Sequence, residues 1–143
     1  MTDFDRKKIT DDFYKFKNII EKTTKKFTDD EVLRLSESLG KHIAGGKYKK
    51  DTTSQVSKFY HLVRIAEGLA SSGKDADKSE AKIKLHVLKA QAFYAQARNS
   101  ISKEFKEFFD VSLERILKNT AEIKDFLIFF ETVYAYFYYE IKN

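Results

Sequence analysis

The chain has 143 residues, a length typical of one domain, and it contains neither Cys nor Pro. Without Cys it cannot form a disulfide, a zinc–thiolate site or a cysteine nucleophile, and without Pro its helices are not broken from within. Its 27 basic and 22 acidic side chains give a net charge of +5, which permits a polyanionic partner without requiring one. No apolar run is long enough to cross a membrane and the first residues do not resemble a signal peptide, so we expect a cytoplasmic protein without a membrane partner.

Two helices are predicted in the N-terminal third of the chain. The first begins at Thr10, its cap, and runs to about residue 24 with acidic residues in its first turn. The second opens with a capping-box pattern, in which Thr28 and Glu31 satisfy each other's free amides, and it ends at the glycines that begin with Gly45.

A polar, basic loop is predicted next, over residues 47–53. Lys49 and Lys50 in this loop are candidates for phosphate contact, because lysines on a mobile segment can neutralise a nucleic-acid backbone and release its counterions. An ordinary solvated loop explains the same composition equally well.

The third and fourth predicted helices, at about residues 54–70 and 79–99, each carry two apolar stripes, which indicates helices enclosed between neighbours. Arg64 lies on the narrow polar strip of the third helix. Strips with basic residues separate the apolar faces of the fourth, with Lys82 and Lys89 on one strip and Arg98 on the other. One of those apolar faces consists of Ile83, Val87, Ala90, Tyr94 and Ala97. Because the guanidinium fork suits phosphate or carboxylate, intramolecular ion pairs remain an alternative use for these cations.

Two further helices complete the chain, one starting near Ser102 and one from about residue 121 to 142. The last has a long apolar stripe, and Phe129, Tyr136 and Tyr139 fall off it. Exposed aromatics in a row commonly mark a protein interface, although a second core face is an equal alternative. The whole pattern predicts an all-α fold, a compact bundle of five to six helices, as a single domain over residues 1–143.

Enzyme chemistry has little support in the sequence. His42, His61 and His86 fall on different predicted elements and form no HExxH-type pair. The acidic pairs at residues 11–12 and 29–30 lie in predicted first turns, where the helix dipole favours carboxylates. We therefore predict no catalytic residue, no metal site and no cofactor.

Three stretches of the sequence together resemble a known family. Residues 55–65 carry Lys-Phe-Tyr and Val-Arg elements, and residues 82–98 form a Lys- and Ala-rich helix that ends in Tyr-Ala-x-x-Arg. Residues 125–137 contain Phe-Phe-Glu-x-Val-x-Ala-Tyr-Phe. In order and spacing, these stretches resemble the small subunit of the Csm-type, or type III-A, CRISPR interference complex, over about residues 50–142.

The resemblance implies a non-catalytic helical subunit in antiviral defence that stacks with copies of itself, or forms a dimer, among other Csm-type subunits. Such subunits contact the backbone of guide RNA and target RNA, while base pairing supplies the sequence specificity. The resemblance implies RNA-facing roles for Lys58, Arg64, Lys82, Lys89 and Arg98, with Lys49 and Lys50 as weaker additions. The alternative from the residues alone is a helical protein–protein adaptor with no nucleic-acid role.

Overall fold

The computed structural model of the chain describes residues 3–45 and 49–142, and it is helical almost throughout. The helices are α1 (Asp3–Lys22), α2 (Asp30–Leu33), α3 (Ser36–Ala44), α4 (Lys49–Ala70), α5 (Asp75–Ala97), α6 (Lys103–Lys118) and α7 (Ile123–Lys142). A 3₁₀ turn at Thr120–Glu122 leads into α7. There is no strand in the described residues, so the predicted all-α fold is confirmed, with six longer helices and the single turn α2.

The longer helices pack side by side in a closed circuit. Helix α1 lies against α3 and α6, α6 against α5, α5 against α4, α4 against α7, and α7 against α3. Each helix therefore has an inner face, two flanks against neighbours and an outer face. This order places α4 and α5 next to each other on one wall of the bundle.

Phenylalanine fills the centre of the circuit. Phe16 of α1 stacks on Phe129 of α7 with ring centroids 5.1 Å apart, and Phe109 of α6 meets Phe130 edge to face at 5.2 Å. Offset stacks and edge-to-face pairs are the geometries that aromatic rings prefer, and each ring buries a large apolar area. The fully buried phenylalanines are Phe16, Phe27, Phe59, Phe105, Phe108, Phe109, Phe126, Phe129, Phe130 and Phe137.

Helix α1 begins earlier than the sequence predicts. Thr10 lies inside the helix, where its hydroxyl donates to the Arg6 carbonyl at 3.0 Å, so its predicted role as the cap is wrong. Asp12 is likewise not in a first turn, and its carboxylate accepts a hydrogen bond from the Ser38 hydroxyl of α3. The acidic residue therefore joins two helices instead of capping one.

The second predicted helix is divided into α2 and α3. Asp29, not Thr28, is the N-cap, and its carboxylate accepts from the Glu31 amide at 2.9 Å. The hydrogen bonds that follow span three residues: the Leu35 amide donates to the Val32 carbonyl, and the Ser36 hydroxyl donates to the Leu33 carbonyl at 2.6 Å. This local bond satisfies a carbonyl at the end of α2, just before α3 begins.

The segment before α4 also differs from the prediction. Residues 49–53 belong to the first turns of α4, so Lys49 and Lys50 lie on a helix and not in a loop. The remainder of that predicted loop, residues 47 and 48, falls outside the described residues. Helix α6 begins close to the predicted Ser102, which is its N-cap: the Ser102 hydroxyl accepts from the Phe105 amide at 3.0 Å.

Candidate nucleic-acid interface

The outer face of α4 carries a polar, basic row, which we call the α4 strip. Apart from one adjacent pair, its members stand three or four residues apart, the spacing that keeps side chains on one side of a helix. They are Ser54, Ser57, Lys58, His61, Arg64 and Gly68, and all are exposed. No Asp or Glu occurs between residues 52 and 66, so the strip contains no carboxylate of its own. It is therefore a surface of hydroxyl donors and cations on the wall of the bundle.

Arg64 is positioned through Tyr60, one turn earlier on α4, which packs against the neighbouring helix α7. Its guanidinium lies 5.9 Å from the ring centroid of Tyr60, whose ring packs against Tyr134 of α7 at 5.0 Å. Burial is the main reason that the pKa of Tyr60 lies above its ordinary value, and the nearby Glu131 carboxylate raises it further. The neutral ring thus offers its face to the cation. Among the described residues, neither Arg64 nor Lys58 forms an ion pair, so both charges remain available.

Lys89 on α5 forms ion pairs with α6. Its ammonium pairs with Asp110 at 3.3 Å and with Glu114, and the Glu114 hydrogen bond raises the pKa of Lys89. The same contact lowers the pKa of Glu114. An RNA phosphate could bind the Lys89 ammonium only by displacing these two carboxylates.

The remaining predicted cations are exposed but point in different directions. At about 100° per residue, Lys82 lies on the same flank of α5 as Lys89, whereas Arg98 lies on the opposite flank. The Arg98 guanidinium sits 5.4 Å from the ring centroid of Tyr94. The structure therefore places Lys58 and Arg64 on the α4 strip, whereas Lys82 and Lys89 lie on the flank of α5 that faces α6.

The predicted aromatic interface on α7 needs one correction. Phe129 is 0% exposed, stacked against Phe16 in the core, so its place in an exposed row is wrong. The signal was present in the sequence, because Phe129 stands three residues after Phe126 and four before Val133, at core spacing. Tyr136 and Tyr139 are 39% and 64% exposed and stay candidates for contact with another chain.

The prediction that α5 is enclosed on both apolar faces is also wrong. Its inner face is buried through Ala81, Leu85, Leu88, Ala92 and Ala95. The opposite face has no neighbour in the described bundle, and Ile83, Val87 and Tyr94 are 56%, 49% and 63% exposed. The sequence shows two apolar faces, but only the packing order shows that α5 has helices on one side alone.

Two cavities on the described surface show no grouping of catalytic side chains. One, of about 490 Å³, lies where α1, α3 and the start of α6 meet, and His42 there pairs with Glu104 at 3.6 Å. The other, of about 550 Å³, lies between α1 and α6 and includes Asp110 and Glu114. Within the described part of the chain, no three His, Cys, Asp or Glu side chains are grouped to hold a metal ion.

An exposed basic strip and a well-packed phenylalanine core define a small all-helical protein with a cationic surface. The sequence model of the family described as Csm2 Type III-A matches residues 26–142, and the chain belongs to that family, the small subunits of type III-A CRISPR effector complexes. The match confirms the resemblance and extends it toward the N-terminus, across α2 and α3. No curated protein and no solved structure was similar enough to count as a match. No helix in the described residues is both long and apolar enough to cross a bilayer.

Proposed function

We propose that this subunit holds the sugar–phosphate backbone of guide RNA and target RNA within its effector complex and performs no cleavage itself. The observation that carries the proposal is the α4 strip, where Lys58 and Arg64 are exposed, close in sequence and free of carboxylate partners among the described residues. Cations of this kind supply the sequence-independent part of nucleic-acid binding.

The other members of the strip suit a strand that lies close to the helix. Ser54 and Ser57 have short hydroxyl side chains, and Gly68 has none, so a phosphate can approach the backbone of α4. Ser57 already exchanges a hydrogen bond of 3.2 Å with the Tyr134 hydroxyl, which fixes its rotamer. Lys49 and Lys50, in the first turn of α4, are weaker candidates for phosphate contact in this proposal.

Helix α5 contributes less to this proposal. Lys82 and Arg98 are exposed candidates, but they lie on opposite flanks of α5, so we rank them below the α4 strip. We rank Lys89 last, because its ammonium is already held by Asp110 and Glu114. Each lysine or arginine that does touch a phosphate adds one salt-sensitive contact, so the isolated chain is expected to bind RNA weakly.

Self-association is part of the same proposal. A subunit that stacks in a row needs two different surfaces in a head-to-tail arrangement, and a dimer needs one self-complementary surface. The exposed tyrosines of α7, Tyr136 and Tyr139, are the residues we propose for contact between copies. These aromatics also fit the alternative of a protein–protein adaptor without RNA, and the two functions make different predictions for the α4 strip.

The test is ultraviolet crosslinking of target RNA to this subunit in a reconstituted type III-A complex. Lys58→Glu with Arg64→Glu should reduce the crosslink about tenfold, because two phosphate contacts become repulsive. The matched control is Lys22→Glu with Lys26→Glu, which makes the same charge change at two exposed lysines near the end of α1. An unchanged crosslink in the α4 variant, with helicity intact, would favour the adaptor.

A further inference from the structure

The outer face of α5 is an exposed apolar row, which we call the α5 seam: Ile83, Val87, Ala90, Tyr94 and Ala97. Three of its large side chains, Ile83, Val87 and Tyr94, are about half exposed or more. Single exposed apolar residues are ordinary on a protein surface, but a contiguous row marks a place where another molecule binds. The face of α5 opposite the seam is already buried against the bundle, so the seam does not contribute to the packing of the described helices.

The spacing of the seam indicates the shape of its partner. Successive members are four, three, four and three residues apart, which is the alternation of a and d positions in a coiled coil. The row spans about 21 Å of helix at about 1.5 Å per residue. A second helix laid along it can insert its own side chains between those of Val87, Ala90 and Tyr94, with the alanines allowing close approach.

The charges beside the seam indicate the chemistry of that helix. No Asp or Glu occurs between residues 81 and 103. Lys82 and His86 border one edge of the seam, and Lys84 and Arg98 border the other. Of these, Lys84 lies 3.5 Å from the Glu80 carboxylate, and His86 is close enough to Glu114 of α6 to interact with it electrostatically. Basic side chains still outnumber the carboxylates beside the seam, so a partner with acidic edges is attracted to it.

The same charges argue against two other occupants. If the seam of a second copy were laid on this one, basic edges would face basic edges in either orientation, which is unfavourable. RNA is a poor match because the aliphatic side chains of Ile83, Val87 and Ala90 offer neither charge nor hydrogen bonds to phosphate or base edges.

We infer that the α5 seam docks an amphipathic helix from a different subunit, with apolar residues at heptad spacing and Asp or Glu along both edges. This inference concerns a protein contact and does not depend on RNA binding by the α4 strip. It gives the subunit two neighbouring faces on one wall, one for nucleic acid and one for a protein helix.

Photo-crosslinking identifies the occupant directly. A benzophenone amino acid at position 90, an exposed alanine in the middle of the seam, is activated in the reconstituted complex, and the crosslinked peptide is sequenced by mass spectrometry. The expected product is a helical segment of another subunit with an apolar heptad row and acidic edges. A crosslink to RNA, to a second copy of this chain, to a segment without those features, or to nothing would overturn the inference.

Substitution supplies a second readout. Val87→Asp with Tyr94→Asp places two acids in the seam and should reduce retention of this subunit in the purified complex about tenfold, as expected at the centre of an interface. Tyr14→Asp with Asn18→Asp adds the same charge to an exposed face of α1 and should leave retention unchanged. Retention of the seam variant at the wild-type level would contradict the inference. If circular dichroism shows that the seam variant has lost its helices, the crosslink at position 90 decides alone.

Discussion

Arg115 of α6 and Glu122 of the 3₁₀ turn form a two-pronged ion pair, with Nε and Nη2 of the guanidinium 3.0 and 2.8 Å from the carboxylate oxygens. The same guanidinium donates to the main-chain carbonyl of Lys25, in the segment that joins α1 to α2, and lies 5.2 Å from the ring centroid of Phe27. One side chain therefore connects α6, the start of α7 and the N-terminal segment. Only 12% of the Arg115 side chain is exposed, so these bonds are shielded from water.

Replacing Arg115 with Met should lower the free energy of unfolding by about 2–4 kcal/mol, because it leaves a half-buried carboxylate and a carbonyl without their donor. Urea denaturation measures the change. The control is Arg34→Met, which removes a cation from an exposed pair with Asp30 on α2 and should lower stability far less. Equal losses in the two variants would show that Arg115 contributes no more than a surface charge.

Gly40 brings α3 against the backbone of α7. A Cβ at this position would lie 2.7 Å from the Tyr136 Cβ and 2.8 Å from the Val133 carbonyl oxygen, and neither atom can move without shifting the helix. Gly40→Ala should therefore destabilise the protein by about 1–3 kcal/mol, the usual cost of forcing extra volume into a packed core. The thermal unfolding midpoint is a sufficient measurement.

Gly68 provides the opposite case on α4. Nothing lies within 4 Å of a Cβ added there, and the residue is inside a helix. Gly68→Ala should stabilise the protein by about 0.5–1 kcal/mol, since alanine favours the helix more than glycine does. A loss of stability comparable to that of Gly40→Ala would contradict the stabilisation expected at Gly68 from helix propensity.

The pair of Lys89 and Glu114 should give a pH-dependent contribution to stability. Because the Lys89 ammonium lowers the pKa of Glu114, the pair stabilises the fold above the ordinary carboxyl range and loses that effect as the pH falls through the lowered pKa. Lys89 itself has a raised pKa and stays charged at neutral pH. A double-mutant cycle with Lys89→Met and Glu114→Gln should give about 0.5–1 kcal/mol of coupling at neutral pH.

The control for that cycle is the same coupling energy measured at acidic pH. Below the titration of Glu114 the coupling energy should approach zero, since the protonated carboxyl no longer attracts the ammonium. A coupling that persists unchanged in acid would contradict an ionic contact between α5 and α6 and would indicate packing by the lysine chain instead.

The sequence was most informative where local chemistry decides the structure. Ser102 caps α6 because its hydroxyl reaches an amide three residues later, and that bond needs no tertiary partner. The starts of α1 and α4 were placed too late. Residues 49–53 at the start of α4 are all polar, whereas Ile9 of α1, buried and four residues before Phe13, was a signal for the earlier start. The break between α2 and α3 depends on the Ser36 hydroxyl bonding to Leu33, which competes with continuation of the helix.

The candidate site was harder to predict, because charge availability depends on which helices become neighbours. Arg64 and Lys89 look alike in the sequence, as cations beside apolar stripes. In the fold, Arg64 lies on the outer wall over Tyr60, whereas Lys89 faces the acidic flank of α6 and is paired. The apolar face of α5 shows the same limit, since its periodicity says nothing about whether a neighbour within the chain covers it.

The salt dependence of RNA binding tests the central claim most directly. The equilibrium constant of the isolated protein for single-stranded RNA should fall linearly with salt on a log–log plot, and each cation in contact with phosphate adds about −0.7 to the slope. Lys58→Gln with Arg64→Gln should make the slope shallower by about 1.4, whereas Lys22→Gln with Lys26→Gln should leave it unchanged. A slope near zero for the native protein, or the same slope in the α4 variant, would contradict phosphate binding by Lys58 and Arg64.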